Sequence, residues 1–500
     1  MASLKSLDFD GMDDAQITEL AETTRFEWAE RDVMIASARE LRRQDWKVKV
    51  PEAWLQTAET RHTSLAKEIP ARVSGTMALN EPQFKRPYID DDVQVQEHAE
   101  AVERSQRGLF QHFKGNSIAG KNQYFFAMDQ LCNSGALCIG DLFAPHDYWS
   151  IPLYSDEDGK ARKKWWRDNQ GRETEEVEAI DEVSSSRAYM KAVDFYRRTA
   201  VPPITRRVVP TNQAYPLFLN GRMYALFIWR QASPLELMAG GFQLEDESAN
   251  ASSLTNTKEL LEVWTPNRCR YIVNREQLRH AVYGNEGVVT NYDFIPFVYR
   301  VGLEGGELEY GSYGMPLLSL VDSQIRLITT LLTYLFNAIH LASFPSFYLE
   351  YIVRDGTVTA SVLEARTGKK VTSYQFKSGT IMDFGPDRKV VPLLHPGMNK
   401  DTYELLKMHY DEVNNVIPRS LRGVAESSGF NTVQASVQAR SLFNPIADSM
   451  ELAHTDLAKM DLHYIEMTGA PIYLNYAVPA DSSYSSKPQK VSKIKVTPED

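Results

Sequence analysis

Cysteine is scarce in this 500-residue sequence, which contains three: Cys132, Cys138 and Cys269. So few cysteines exclude a disulfide scaffold and favour a reducing compartment. The spacing of Cys132 and Cys138 is wrong for a zinc site, so we expect buried free thiols. No G-x-S-x-G or H-E-x-x-H motif occurs, and we expect neither an enzyme nor a bound metal or cofactor.

An excess of positive charge is also lacking. The chain has 55 Lys and Arg against 66 Asp and Glu, a net charge of −11. A protein that coats nucleic acid by neutralising phosphates needs a basic excess, so that class is disfavoured. An acidic surface along which DNA passes without adhering stays possible. The start, MASLKSLDFDGMDD, is acidic and has no cationic segment before an apolar run, so no signal peptide is predicted.

One stretch, residues 327–349, has no formal charge and is long enough to span a bilayer. It contains Thr329, Thr330, Thr333, Asn337, His340 and Pro345, and it begins directly after Arg326. We therefore expect no membrane span. A membrane-associated scaffold protein is kept as a rival hypothesis.

What the chain does contain is enough apolar residues, 43%, to form two to four globular sub-structures of the α+β class. Apolar periodicity predicts helices over residues 14–45 and 93–113, and part of a third over 124–130. Strands are predicted over 136–154 and 204–300, including a hairpin around Pro266 and Asn267. The glycine-rich residues 302–314 are interpreted as a linker.

The most regular segment follows this linker. Apolar residues recur there at alternating spacings of four and three, which predicts one continuous helix: Val321, Ile325, Ile328, Leu332, Leu335 and Ile339. Such a helix belongs either to the core of a bundle or to a ring in which each copy packs between two others.

Strand-like segments then occupy residues 346–396, with seven basic and five acidic residues, a net +2. A helix over 400–416 ends before Pro418. About a dozen small and polar residues separate it from a last long helix, in which Pro445 predicts a kink. The tail after this helix has one strand-like patch and is otherwise expected to be loose.

GNSIAGKN, residues 115–122, has the G-x-x-x-x-G-K spacing of a phosphate-binding loop. Asn122 stands where the loop needs a hydroxyl, and a helical pattern precedes it rather than a strand. A turn between helices is favoured; an ATP-binding enzyme of the P-loop type is the second rival hypothesis.

The order of these parts resembles the portal proteins of tailed bacteriophages. EVWTPNRCRYIV, FIPFVYRVG and YGMPLLSLVDSQIRLITTLL are similar to the family's wing hairpin, sheet-closing strand and first stem helix. VIPRSLRGVAESSGFNTVQASVQA is similar to its tunnel loop and the start of its long wing helix. The resemblance covers roughly residues 90–468 by order of elements, and the short C-terminus departs from families with a large helical crown.

The resemblance implies a portal fold with these parts: an N-terminal mixed α/β wing (1–315), stem helix 1 (316–343), a β-rich clip insertion (344–397), stem helix 2 (398–416), a tunnel loop (417–431), a long kinked wing helix (432–468) and a reduced crown or tail (469–500). It also implies a homo-oligomeric ring, usually a dodecamer, at one capsid vertex of the virion, assembled in the host cytoplasm. Its channel would carry double-stranded DNA during packaging and ejection.

The implied partners besides DNA are the terminase large subunit, a head-tail adaptor protein, and the major capsid and scaffold proteins. The resemblance assigns three sets of residues. The tunnel loop would face DNA with Arg419, Arg422, Glu426, Ser427, Ser428, Gly429 and Asn431. The clip would bind partners with Lys369, Lys370, Lys377, Arg388 and Lys389. The stem would form the oligomer interface with Val321, Ile325, Ile328, Leu332, Leu335 and Ile339.

Overall fold

The structure is a computed structural model. It describes residues 9, 11–49, 60–79, 82–85, 93–115, 117–118, 120–143, 204–239, 242–243, 257–280, 287–290, 292–308, 311–343, 347–351, 388–392, 400–417, 429–468, 472–477 and 491–496. The chain divides into two compact units. The first comprises Met1–Arg43, Leu65–Asp322 and Val416–Asp500, and the second comprises Gln44–Ser64 and Ser323–Asn415.

The described residues form helices α1 Asp14–Glu27, α2 Ala29–Arg43, α3 Leu65–Leu79, α4 Val93–Gly115, α5 Gln123–Ser134, α6 Pro234–Ala239, α7 Asp322–Ser343, α8 Lys400–Val416 and α9 Gly429–Thr468. The predicted single helix over 14–45 is wrong: it divides at Trp28. This side chain is 1% exposed and packs edge-on against Tyr299, with ring centroids 5.6 Å apart. Trp28 thus lies in the core at the junction between α1 and α2.

The described strands are β1 Ser117–Ile118, β2 Lys121–Asn122, β3 Ala136–Phe143, β4 Ile204–Val209, β5 Ala214–Leu219, β6 Arg222–Ala232, β7 Phe242–Gln243, β8 Lys258–Trp264, β9 Arg268–Val273, β10 Glu276–Gln277, β11 Arg279–His280, β12 Val288–Val289, β13 Phe297–Val301, β14 Glu304–Leu308, β15 Gly311–Gly314, β16 Phe347–Tyr351, β17 Arg388–Pro392, β18 Ile472–Ala477 and β19 Val491–Val496. All their pairings are antiparallel. Helices and antiparallel sheets together confirm the predicted α+β class.

Two sheets form the centre of the first unit. One has the strand order β10-β9-β8-β6-β5, with β12 added beside β9, and the other has the order β13-β3-β4. The predicted hairpin around Pro266 is confirmed as β8–β9, with Trp264 opposite Cys269. Strand β3 begins with six consecutive buried residues, a pattern typical of a strand covered on both faces. Helices α5 and α9 both contact β3, and α9 also contacts β13.

Glu262, on β8, forms ion pairs with arginines of both sheets. Its carboxylate is fully buried and accepts hydrogen bonds from Arg207 on β4 at 2.8 Å and from Arg230 on β6 at 2.5 Å. The indole Nε1 of Trp264 lies 3.4 Å from the same carboxylate. A buried carboxylate needs such partners because it has lost its hydration.

Arg31, on α2, is a buried cation of the same unit. Its guanidinium donates to the carbonyl of Ala214 at 2.8 Å and to the carboxylate of Asp32 at 2.9 Å. The guanidinium carbon lies 4.5 Å from the ring centroid of Trp28 and 4.7 Å from that of Tyr215. Arg31 therefore fastens α2 to β5 through hydrogen bonds and cation–π contacts at once.

The interpretation of residues 302–314 as a linker is wrong, because they form the hairpin β14–β15. Tyr313 is 6% exposed, and its hydroxyl donates to Glu30 at 2.8 Å. A Cβ on Gly305 or Gly306 would meet Tyr313 at 2.9 or 2.8 Å. These glycines therefore make room for a packed ring rather than supply flexibility.

Gly135 provides a test of a second close approach. It caps α5 with φ +70°, and a Cβ there would lie 2.4 Å from the backbone of Gly314 and Met315. Gly135→Ala should destabilise the first unit by roughly 3 kcal/mol, because left-handed strain and overpacking add. Denaturant unfolding measures the loss. Gly75→Ala is the matched control, since Gly75 lies in α3 with nothing within 4 Å of the new Cβ. It should stabilise by up to about 1 kcal/mol, and equal effects of the two changes would contradict the packing argument.

The C-terminal part differs from its prediction in two places. Helix α9 begins at Gly429, so Gly429 and Asn431 belong to its first turn and not to the polar loop. The helix continues through Pro445 to Thr468, and the bend at this proline stays a prediction. Residues 491–496, expected to be loose, form β19, which pairs with β18 and contacts α4. Backbone pairing with the predicted strand β18 orders this part of the tail.

Candidate functional site

The second unit contains α7, β16, β17, α8 and the earlier segment Gln44–Ser64. The predicted long helix is present as α7. The residues before α7, Leu317–Val321, were predicted as part of the same helix but form a 3₁₀ helix. Five of its six predicted apolar positions, all except Val321, lie in α7, so the periodicity located the helix correctly. The unit includes the predicted clip residues and all the predicted stem residues except Val321, and it is the candidate functional site.

The six predicted interface residues do not share one environment. Val321, Ile325 and Ile328 are at most 1% exposed in the single chain. Leu332 and Leu335 are half-buried, and Ile339 is 48% exposed. The first three are therefore core residues of this chain, and the last three keep apolar surface that a neighbour could cover.

From Ile325 onward the buried face of α7 follows a spacing of four residues and becomes polar. Thr329, Thr333 and Asn337 are 1%, 0% and 3% exposed. The hydroxyl of Thr333 donates to the carbonyl of Thr329 at 2.8 Å, and Asn337 donates to the carbonyl of Thr333 at 2.8 Å. Buried polar side chains on a helix require such partners. In the linear sequence these residues argued only against a bilayer span.

A backbone segment from early in the chain lies along this polar face. The amide of Arg61 donates to the hydroxyl of Thr333 at 3.0 Å, and the hydroxyl of Tyr334 donates to the carbonyl of Lys49 at 3.3 Å. The guanidinium of Arg61 lies 3.8 Å from the ring centroid of Phe336. We call residues 44–49 and 60–64 the strap. It was not predicted from the sequence, and the buried threonines at spacing four are the signal that could have indicated a bound backbone.

The strap is also tied to itself and to α8. The amide of Val48 donates to Thr60 at 3.1 Å, and Gln44 donates to the carbonyl of Thr63 at 3.0 Å. The hydroxyl of Thr63 lies 3.4 Å from that of Tyr410 on α8. The strap therefore connects α7 with α8.

Large apolar side chains remain exposed on both helices. On α7 these include Leu327 at 39% and Ile339 at 48% exposure. On α8, Tyr403 is 58%, Leu405 40% and Met408 47% exposed. Helix α8 buries Leu406 and Val413, so it does pack in the chain through a narrow stripe. Exposed apolar residues grouped on two helices of one unit indicate a surface that binds protein.

The exposed part of α8 is also acidic. Asp401, Glu404 and Asp411 are exposed, and Lys407 lies among them. The whole helix has four acidic residues against Lys400 and Lys407, a net charge of −2. This face would repel a polyanion rather than hold it.

The predicted clip begins and ends with strands β16 and β17, which pair along their whole length from Phe347–Pro392 to Tyr351–Arg388. The segment between α7 and α8 therefore begins and ends in one pair of hydrogen-bonded strands. Arg388 and Lys389 lie on β17, opposite Tyr351 and Glu350. Lys369, Lys370 and Lys377 lie outside the described residues. So do Arg419, Arg422, Glu426, Ser427 and Ser428 of the predicted loop, which follows the fully buried Ile417.

The G-x-x-x-x-G-K stretch does not form the arrangement expected for a phosphate-binding loop. Helix α4 precedes it, and β1 and β2 close a tight hairpin in which Ile118 pairs with Lys121. Asn122 caps α5 by accepting from the amide of Phe125 at 3.0 Å, and it donates to the carbonyl of Lys114 at 2.6 Å. The favoured interpretation, a turn between helices, describes these contacts.

The uncharged stretch 327–349 is not one helix, since α7 ends at Ser343 and β16 begins at Phe347. In the part of the chain that the structure describes, no helix has the length and apolarity to cross a bilayer. Within that same part, no three His, Cys, Asp or Glu residues are grouped to hold a metal ion.

The three cysteines are buried, and burial raises the pKa of the Cys132 and Cys138 thiols to about 12. Thiols this reluctant to ionise are poor nucleophiles.

No family model matches the chain, and no curated protein matches it significantly.

Proposed function

We propose that this protein is a portal protein of a tailed bacteriophage. Identical subunits form a ring, usually of twelve, at one capsid vertex, and double-stranded DNA passes through its channel. The observation that carries the proposal is the apolar surface exposed on both α7 and α8 of the single chain. Ring subunits must expose such surface on two sides, because each contacts two neighbours through different residues.

The order of elements supports the same proposal. Helices α7 and α8 would be the two stem helices, and the excursion closed by β16 and β17 would be the clip. The clip would bind the terminase large subunit during packaging and the head-tail adaptor afterwards. Its net charge of +2 contrasts with the acidic remainder of the chain.

Residues 418–428 would form the tunnel loop that follows the moving DNA. Arg419 and Arg422 would make brief phosphate contacts, and Glu426 would limit their strength. A strongly basic collar would hold DNA through the release of counterions, whereas a mixed-charge loop lets it slide. The net charge of −2 on α8 supports a channel wall that repels the DNA backbone.

Ring assembly is tested at residues that are exposed in the single chain. Leu405→Asp together with Met408→Asp should abolish the ring, because each aspartate would be desolvated between subunits. Mass photometry should then show the 56.8 kDa subunit in place of a closed oligomer. Ile328→Asp is unsuitable, since Ile328 is buried within its own chain and its replacement would unfold the subunit.

The matched control is Ser323→Asp, which adds a charge at an exposed position of α7 and should assemble normally. A full ring from the double variant would contradict the proposed interface. A wild-type protein that stays monomeric at all concentrations, by contrast, would remove the portal proposal itself.

A further inference from the structure

A buried group of charges joins α9 to the three-stranded sheet of the first unit. Arg206, on β4, donates through Nε to Asp141 of β3 at 3.3 Å and through its terminal nitrogen to Asp461 of α9. The side chain of Arg206 is 4% exposed, and those of both aspartates are 0% exposed. No sequence pattern indicated this group, because Asp141 and Asp461 are 65 and 255 residues from Arg206.

One carboxylate oxygen of each aspartate accepts a hydrogen bond from Arg206, and the other oxygen has no donor in the described part of the chain. Asp141 Oδ2 and Asp461 Oδ1 are buried and have no hydrogen-bond partner among the described residues. Both carboxyl groups bond to the same guanidinium, so the two buried acids act on each other's charge. Two ionised carboxylates cannot satisfy each other, since neither has a proton to donate. One proton between them satisfies both orphaned oxygens.

The described residues of the neighbouring elements supply no second positive charge. His454 of α9 is 4% exposed, and both its ring nitrogens lack a partner among the described residues. Burial, with the Arg206 charge, lowers the pKa of His454 to about 3 and also lowers the pKa of His112 on α4. Tyr464 of α9 donates its hydroxyl to the carbonyl of Asp141 at 2.6 Å and packs against Tyr292. At neutral pH both histidines are therefore uncharged, and Arg206 faces two carboxyl groups alone.

We propose that Asp141 and Asp461 share one proton, and that this proton locks the C-terminal half of α9 onto β3 and β4. With the proton present the group is neutral and fully hydrogen-bonded. Without it a net negative charge stays buried, and α9 is released from the sheet. Arg206, Asp141 and Asp461 all belong to the first unit, so the lock does not depend on ring formation.

The direction of the pH dependence follows from burial. Burial raises the pKa of Asp461 well above its usual value, and Asp141 raises it further, although Arg206 opposes both. The folded form thus holds a proton that the unfolded form has lost. The stabilisation is complete below the ordinary aspartate pKa near 3.8 and is lost as pH rises through the raised pKa.

Asp461→Asn tests the lock, because the amide is isosteric and donates permanently to Asp141 while accepting from Arg206. Amide hydrogen exchange of α9 residues 449–468 measures its opening as a function of pH. Between pH 4 and the raised pKa, the opening constant of the wild type should rise by about tenfold per pH unit relative to that of the variant. Parallel profiles would overturn the proposal. Asp141→Asn should reproduce the flat profile and serves if the first variant does not fold.

A second measurement observes the proton directly in the wild type. Difference infrared spectra against each asparagine variant should show a protonated carboxylic acid carbonyl at neutral pH. The matched control is Asp456→Asn, which alters a partly exposed carboxylate on the same helix, paired with Arg300. It should change neither the infrared band nor the pH profile that the lock produces. Absence of the band from the wild-type spectrum would rule out the shared proton.

Discussion

Replacing Glu262 by alanine is expected to unfold the first unit or cost it about 3–5 kcal/mol, the usual range when one partner of a buried ion pair is removed. Arg207 would then lose this carboxylate partner, and Arg230 would keep only its ion pair with Glu236 among those the structure describes. Denaturant unfolding followed by tryptophan fluorescence measures the loss. Trp264 lies beside the site and is one of the eight tryptophans that contribute to this signal.

The control for Glu262 is Glu22→Ala. Glu22 pairs with Arg275 on the surface, where the two side chains are 48% and 63% exposed. Exposed pairs contribute at most about 1 kcal/mol, so this variant should be nearly neutral. Comparable losses from Glu22→Ala and Glu262→Ala would show that burial does not set the strength of these pairs.

Glu262 should also make the stability of the first unit depend on pH in the acid range. Burial alone would raise the pKa of this carboxyl, but the charges of Arg207 and Arg230 outweigh burial and lower it to about 2. A carboxyl with a lowered pKa stabilises the fold above its unfolded pKa, 4.5, and the stabilisation is lost as pH falls towards 2. Glu262→Gln should remove this component, so its stability should change less than that of the wild type over the same pH interval.

Arg31→Met should produce the second large effect, roughly 3 kcal/mol. Methionine retains much of the side-chain volume, but the carbonyl of Ala214 loses its donor and two aromatic rings lose a cation. Thermal unfolding by circular dichroism checks the result. Arg31→Lys should recover part of the loss, since lysine keeps the charge but not the planar fork that bonds in two directions.

The comparison for Arg31 is Arg25→Ala on α1. Arg25 pairs with Glu259, and the two side chains are 46% and 47% exposed. We expect a loss below about 1 kcal/mol from this variant. If Arg31→Met were equally mild, the guanidinium would contribute little to stability, and the fastening of α2 to β5 would have to come from apolar contacts.

Local sequence patterns predicted the elements that short-range interactions determine. The β8–β9 hairpin followed from two apolar runs around Pro266 and Asn267, and α7 followed from its apolar spacing. Glycine was ambiguous by the same logic: it permits both a flexible linker and the close packing found beneath Tyr313. Only the tertiary position of that ring decides between the two.

The candidate site was predicted in outline and missed in detail. The apolar stripe suggested one continuous interface, but the chain itself buries Ile325 and Ile328. The polar residues at spacing four on α7 could have indicated a bound backbone, but not which one, because the contact joins residues as far apart as Arg61 and Thr333. Long-range pairing of this kind depends on complementary surfaces that a linear pattern does not display.

The strap has a consequence for synthesis on the ribosome. Arg61 is made 272 residues before Thr333, an interval of roughly 15–50 s at about 5–20 residues per second. Throughout this time Trp46 and the other strap residues are already synthesised, but α7, against which they pack, is not. Most of the first unit, residues 65–322, is synthesised in this interval, while the strap has no α7 to bind. A nascent chain stalled before α7 should therefore expose the strap to chaperones or proteases. The rate of translation between the two segments sets how long this exposure lasts.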